Sequence, residues 1–349
     1  MSVKTRVLKV DPSNIDADSI REAAEVIKAG GLVAFPTETV YGLGASALDE
    51  KAIRKIFTAK GRPQDNPLIL HVAAVSQAAE AVEFFPPNAK ILIDKFWPGP
   101  LTLVMKKSSK VPSVVTGGLD TVAVRMPSDP VALELIRCSN VAIVAPSANI
   151  SGHPSTTNAQ HVIDDLSGKI DLILDSGPCR VGVESTVLDL TISPPAVLRP
   201  GGTTLESLRQ VLGNVVYSPF LTERPSQPRS PGMKYAHYLP KADMYIVRGN
   251  IGDVVKKIRA LASEYKKRGI SVGVLATDQT ASEYEGFAVL SAGNRDRPES
   301  IAECFFGILR RFDKMNVSII LSEAIDAEGV GMAVMNRMEK AAAYKFIDA

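Results

Sequence analysis

The stretch Leu32-Val33-Ala34-Phe35-Pro36-Thr37-Glu38-Thr39-Val40-Tyr41-Gly42-Leu43-Gly44 decides how the rest of the chain is read. Leu32 to Phe35 is a short apolar strand, and Pro36 ends it because proline has no N–H to give to a ladder. Two hydroxyls, a carboxylate and a phenol follow, beside two glycines. A helix is predicted over 49–59, with Ile53, Ile56 and Phe57 along one side. The polar run therefore reads as a strand-to-helix connection. In open α/β sheets ligands bind outside the carboxyl ends of strands, where such connections lie. Glycine permits close backbone approach, while the hydroxyls and carboxylate supply directional hydrogen bonds. The same composition also suits a plain turn.

Working outward, Ser19-Ile20-Arg21-Glu22 has the pattern of a capping box, and Gly30-Gly31 supplies the stop of the helix it opens. Further strands are predicted at 68–72, 101–105, 121–126, 141–145, 172–174, 185–190 and 196–198. Helices are expected between several of them, near 76–83, 88–96, 130–139 and 159–166. This order implies an α/β fold with a mixed, twisted sheet flanked by helices. From Tyr217 the texture changes: Pro219, Pro225, Pro228, Pro231 and Pro240 fall among Ser, Gln and Arg, which forbids helix and marks an extended linker. A second β-α-β series then begins at Met244. The expected organisation is a first α/β domain over 1–216, a proline-rich linker over 217–241, and a small doubly wound, Rossmann-like domain over 242–349.

The chain of 349 residues fits about two domains. Lys+Arg 40 against Asp+Glu 38 leaves +2, so no global field advertises nucleic acid or membrane, although a whole-chain sum hides local basic patches. Cys138, Cys179 and Cys304 are an odd set, far apart and without a C-x-x-C pair, which supports neither a disulfide framework nor a zinc ribbon. The charged N-terminal segment lacks the apolar core of a secretion signal, and no uncharged apolar run approaches membrane-spanning length. A soluble, cytoplasmic protein with no membrane partner is expected. G-x-x-x-x-G-K-[ST], H-E-x-x-H and G-x-S-x-G are missing. Gly329-Val330-Gly331 lacks the third glycine of a dinucleotide fingerprint.

Polar residues gather instead at strand ends. Lys60-Gly61-Arg62-Pro63 closes a helix, where cations suit the negative dipole end; two cations about a glycine also make a compact phosphate clamp. His71 lies within a strand, a position that suits a satisfied core histidine. Thr121, Ala123 and Arg125 share one strand face by the period of two. An arginine there is costly unless paired, by a protein carboxylate or by that of a ligand. Ser147 and Asn149 alternate after another apolar run, and Val183-Glu184-Ser185-Thr186-Val187 and Leu198-Arg199-Pro200-Gly201-Gly202 sit at further strand boundaries.

Taken together, P-T-E-T-V-Y-G-L-G, K-G-R-P…N-P-L…H, V-R-M-P, P-S-A-N-x-S-G, E-S-T-V and R-P-G-G resemble, in order, the YrdC-like family over about residues 15–212. Ser230–Pro240 is similar to the linker of that family's long, two-domain form. The resemblance implies an ATP-dependent nucleotidyl transfer joining L-threonine and bicarbonate into threonylcarbamoyl-adenylate with release of pyrophosphate. The product would serve modification of tRNA beside the anticodon, through a separate threonylcarbamoyl transferase complex and with a tRNA contact left open. It assigns catalysis to Lys60 and Arg62, and L-threonine to Thr39, His71, Arg125 and Ser185. It assigns ATP to Lys60, Arg62, Asn66, Thr121, Ala145 (through its backbone), Ser147, Asn149, Ser155, Arg199 and Tyr235, with Lys234 beside the last in a folded-back lid. Mg2+ would arrive with the ATP phosphates rather than on protein ligands. The competing reading is a non-catalytic module for double-stranded RNA or tRNA.

Overall fold

The computed structural model describes residues 3–221 and 237–349. The chain divides into two compact units, one of Met1–Ser151 with Ser155–Tyr235 and one of Gly152–Pro154 with Ala236–Ala349.

The first unit is built on a mixed sheet. Its strands are β1 (Arg6–Lys9), β2 (Val33–Phe35), β3 (Gly42–Ser46), β4 (Ile69–His71), β5 (Leu101–Lys106), β6 (Thr121–Arg125), β7 (Ile143–Val144), β8 (Leu172–Asp175), β9 (Thr186–Asp189), β10 (Ala196–Arg199) and β11 (Val216–Tyr217). They run side by side in the order β1-β8-β2-β3-β7-β4-β6-β5-β9-β10-β11. Parallel pairs (β4 with β6, β5 with β9) alternate with antiparallel ones (β5 with β6, β9 with β10). The mixed sheet expected from the sequence is therefore present.

Three local readings are corrected. The run after Phe35 is not a strand-to-helix turn: Gly42–Ser46 returns as a strand antiparallel to β2. The glycines are strand residues because the Phe35 ring occupies the space beside them, and a Cβ on Gly44 would lie 2.8 Å from that ring. The first helix spans Ala17–Lys28 and is capped by Asp16, which accepts from Asp18 and Ser19 N–H groups, so Ser19 is inside the helix rather than its cap. The helix Leu205–Leu212 is capped by Thr204 and was not expected, since its apolar positions adjoin a glycine-rich run.

Helix placement explains where a site can form. Helices Ala17–Lys28 and Pro130–Ser139 bury Ile20, Ile27, Leu135 and Ile136 against β2, β7 and β8. Helices Glu50–Lys60 and Pro87–Phe96 supply Ile53, Ile56, Phe57 and Leu92 to a core that includes Leu70, Leu103, Val124 and Leu188. Alternate residues of β4, β5, β6, β9 and β10 face the other way. There Ile69, Val104, Ala123, Val187 and Leu198 form a small buried apolar cluster, and His71, Thr102 and Arg125 share that face by alternation.

The second unit has β12 (Asp243–Arg248), β13 (Val272–Ala276), β14 (Ala288–Ser291), β15 (Ile319–Glu323) and β16 (Phe346–Asp348), ordered β14-β13-β15-β12-β16 and wholly parallel. Helix Ile251–Lys267 covers one face with Val254, Ile258 and Ala262. The Gly329-Val330-Gly331 run starts helix Val330–Ala341, and a Cβ on Gly331 would meet the Asp326 carbonyl at 2.2 Å. Packing accounts for that glycine. No helix among the described residues is long and apolar enough to cross a membrane.

Gly201 carries the tightest constraint near β9: a Cβ there would lie 2.3 Å from Thr186 N and 2.4 Å from Glu184 O, both backbone atoms. Gly201→Ala must push these segments apart and is expected to lower stability by about 1–3 kcal/mol. Gly252→Ala, in open space on an exposed helix, is expected to change it by less than about 1 kcal/mol. Thermal unfolding of the two variants checks this; equal midpoints contradict it.

Candidate active site

Register sets a row of polar side chains across adjacent strands. His71 on β4 stands opposite Arg125 on β6, and Arg125 stands opposite Thr102 on β5. Thr102 Oγ1 and Ser185 Oγ share a hydrogen bond at 2.8 Å. Arg199 then donates from Nε to the Ser185 carbonyl (3.0 Å) and from Nη2 to Ser185 Oγ (3.1 Å). All five side chains are buried. Such a row is costly inside a sheet unless its donors and acceptors are met.

The loop Pro36–Tyr41 hangs over one end of this row. Thr37 Oγ1 donates to the Val40 carbonyl at 2.6 Å and accepts from the Val40 N–H, a local turn that holds the loop shape. Arg125 Nη1 donates to Thr39 Oγ1 at 2.9 Å, and its Nε reaches the Gly99 carbonyl at 3.3 Å. Its Nη2 lies 2.8 Å from Glu38 Oε2 as an ion pair, although the two are not aligned as a hydrogen bond. Of the two partners open to Arg125 from the sequence, the protein carboxylate is thus present.

The cationic corner is built on a helix end. Lys60 closes helix Glu50–Lys60, and Gly61 follows at φ 62°, the left-handed geometry that glycine tolerates. Lys60 is 2% exposed and its Nζ donates to the carbonyls of Ser147 and Asn149. Its side chain is spent on the Pro146–Asn149 loop, which a cation placed only for the helix dipole would leave alone. Arg62 Nη2 donates to the Pro67 carbonyl at 3.0 Å, tying Asn66 into the same corner. β7 ends at Val144, so Ser147 and Asn149 meet through the loop and not by strand alternation: Ser147 Oγ donates to Asn149 Oδ1 at 2.5 Å. Ala145 N–H is held by the Ile69 carbonyl at 3.0 Å.

Ser155 Oγ donates to Glu184 Oε1 at 2.5 Å, both buried. Thr121 occupies the same strand face as Arg125 but at its opposite end, about 13 Å along the strand. Tyr235 and Lys234 lie outside the described residues. Sequence reasoning passed over Glu38, Thr102, Thr156 and Glu184. Alternation along β5 points Thr102 to the Val104 face, but that Glu38 turns inward depends on the Thr37–Val40 turn.

Several buried polar atoms here have no hydrogen bond: both Glu38 carboxylate oxygens, Asn66 Oδ1, Arg125 Nη2 and Thr156 Oγ1. Such atoms are rare in folded proteins and gather where a ligand completes them. Cys179 is buried close by, and burial pushes its thiol well above the usual range, which removes it as a nucleophile. Among the described residues no group of three or more His, Cys, Asp or Glu side chains is arranged for a metal ion.

Burial, reinforced by Arg125, pushes His71 down to about 3 from 6.5, so the folded ring stays neutral. Its Nδ1 faces the Ile69 carbonyl at 3.2 Å, which assigns the proton to Nδ1 and leaves Nε2 as an acceptor. The unfolded chain binds a proton below 6.5 that the folded chain refuses until about 3, so acidification through that window costs stability. The slope from one such proton is at most about 1.4 kcal/mol per pH unit. Chemical unfolding of His71→Gln between pH 6 and pH 4 is expected to show a shallower loss than the wild type; an unchanged slope contradicts the buried neutral ring.

Comparison with known proteins places these features in a family. The Sua5–YciO–YrdC family model, described as "Telomere recombination", matches residues 25–201, and a model described as "Threonylcarbamoyl-AMP synthase, C-terminal domain" matches residues 203–343. The chain is 49% identical over 334 residues to the threonylcarbamoyl-AMP synthase of Pyrococcus abyssi, covering 95% of this chain and 96% of that one. It is 45% identical to the Bacillus subtilis protein of the same name, covering 97% and 96%. The crystal structure of P. abyssi Sua5 complexed with L-threonine is similar at a TM-score of 0.94 with 48% identity, over 98% of this chain and 99% of that one.

Proposed function

Because the chain belongs to the Sua5–YciO–YrdC family, in the form that carries the threonylcarbamoyl-AMP synthase C-terminal domain, we propose that it joins L-threonine, bicarbonate and ATP into threonylcarbamoyl-AMP, pyrophosphate and water in the pocket over β4, β6, β5 and β9. The observation that carries this reading is the buried polar row, His71–Arg125–Thr102–Ser185–Arg199, bordered by unmet hydrogen-bonding atoms. A small, polar, charged substrate supplies what those atoms lack.

In this reading Arg125 binds the threonine carboxylate through the Nη2 hydrogens that the fold leaves without a hydrogen bond. Thr39, held by Arg125, and neutral His71, through Nε2, contact polar groups of the substrate beside its carboxylate. Ser185, fixed between Thr102 and Arg199, closes the far side. Lys60 and Arg62 face the triphosphate and stabilise the charge that develops when the carbamate oxygen attacks the α-phosphorus and pyrophosphate leaves. Asn66, Ala145 through its backbone, Ser147, Asn149, Ser155, Thr121 and Arg199 border the nucleotide. Mg2+ would arrive with the ATP phosphates, where it would neutralise charge on the leaving group. No activated nucleophile stands in the site among the described residues, and catalysis is positioning plus electrostatics. The adenylate passes to the enzyme complex that modifies tRNA.

Pyrophosphate release from ATP tests the reading. It is expected only when L-threonine and bicarbonate are both present, and to fall by roughly 100-fold or more in Lys60→Ala, the scale for removing one preorganised charge contact. Release without threonine would overturn it, and no release at all from a protein that retains RNA at low salt would overturn it in favour of a binding module.

A further inference from the structure

Glu38 has no part in the assignments above, yet it is the least satisfied group of the pocket. It is 3% exposed, and neither carboxylate oxygen has a hydrogen bond. Its neighbours in sequence do not serve it: Thr37 Oγ1 donates to the Val40 carbonyl, and Thr39 Oγ1 is taken by Arg125. Arg125, 2.8 Å away, balances its charge but does not fill its lone pairs. A buried carboxylate in that condition is costly, and it persists where an incoming donor completes it.

Resting on the reading of this pocket as the threonine site, we propose that Glu38 receives the α-ammonium of the substrate, so that Glu38 and Arg125 form a zwitterion clamp. An α-amino acid carries its carboxylate and ammonium on one carbon. A buried acid and a buried base in contact present the complementary pair at matching spacing. Arg125 keeps its Nη2 hydrogens for the carboxylate, while the ammonium brings three donors to the two empty oxygens of Glu38. The zwitterion adds no net charge, so neither member of the pair is stranded when the other turns to the ligand. A molecule with the carboxylate alone leaves Glu38 unfilled and crowds a second anion beside it. Glu38 is thus a specificity residue for the amino group, which takes up the carbon of bicarbonate, with loss of water, only after it has given up a proton.

The test compares L-threonine with its deaminated analogue 3-hydroxybutanoate, by calorimetric titration and competition on the full chain. Wild type is expected to prefer L-threonine. Glu38→Gln, which keeps the volume, is expected to weaken L-threonine by about 10- to 100-fold while leaving the analogue within about threefold, the scale for a hydrogen bond to a charged group. Weakening of both ligands by the same factor, or of neither, would make Glu38 only a structural partner of Arg125 and overturn the clamp. Equal affinity of the wild-type protein for the two ligands would overturn it without recourse to a variant. Failure of the wild type to bind L-threonine at all while it binds ATP would remove the threonine reading itself, a result distinct from either.

Discussion

A guanidinium buried at the end of a central strand is the constraint on which this molecule turns. Arg125 is 3% exposed and stands between His71 and Thr102 in the register of the sheet. Such a group is tolerated only where the surrounding fold gives it partners. The loop before β3 bends so that Glu38 and Thr39 meet it, and the Thr37–Val40 turn holds that bend. Gly42 and Gly44 let the returning strand lie against the Phe35 ring, which in turn stands edge-on to His71 at 6.2 Å. The neutral state of His71 follows from the same burial and the same positive charge.

The second half of the site obeys a related rule. Lys60 at a helix terminus is held by loop carbonyls, and Arg199 by the Ser185 backbone, so each cation is fixed before any ligand arrives. Preorganisation of this kind is what electrostatic catalysis requires, since no reorganisation then accompanies the developing charge. Gly201 lets the chain after Arg199 press on the 184–186 backbone. The packing of β9 against β10 and the position of Ser185 are therefore one and the same feature.

Much of this was legible in the residues. Alternation correctly put Thr121, Ala123 and Arg125 on one face of β6, and the helices expected over 49–59 and near 130–139 are found at Glu50–Lys60 and Pro130–Ser139. The strand Gly42–Ser46 was not legible, because small residues read as a turn until the ring of Phe35 is placed beside them. The edge strands β1 and β16 are short and partly exposed, with little apolar pattern to announce them. Ser147 and Asn149 came together as expected but through a loop, since β7 ends early. Glu38 was visible as a carboxylate in a polar run; that it turns inward to Arg125 depends on tertiary register, which no local pattern carries.

In the proposed reaction one buried polar row brings an amino acid, a one-carbon acid and a nucleotide to a single condensation. Mass spectrometry of the product formed from ATP, L-threonine and 13C-labelled bicarbonate tests it most directly. The expected product is an adenylate that contains threonine and one 13C atom, formed in step with pyrophosphate. An adenylate of threonine without the label, or nucleotide turnover with no threonine-containing product, would contradict it.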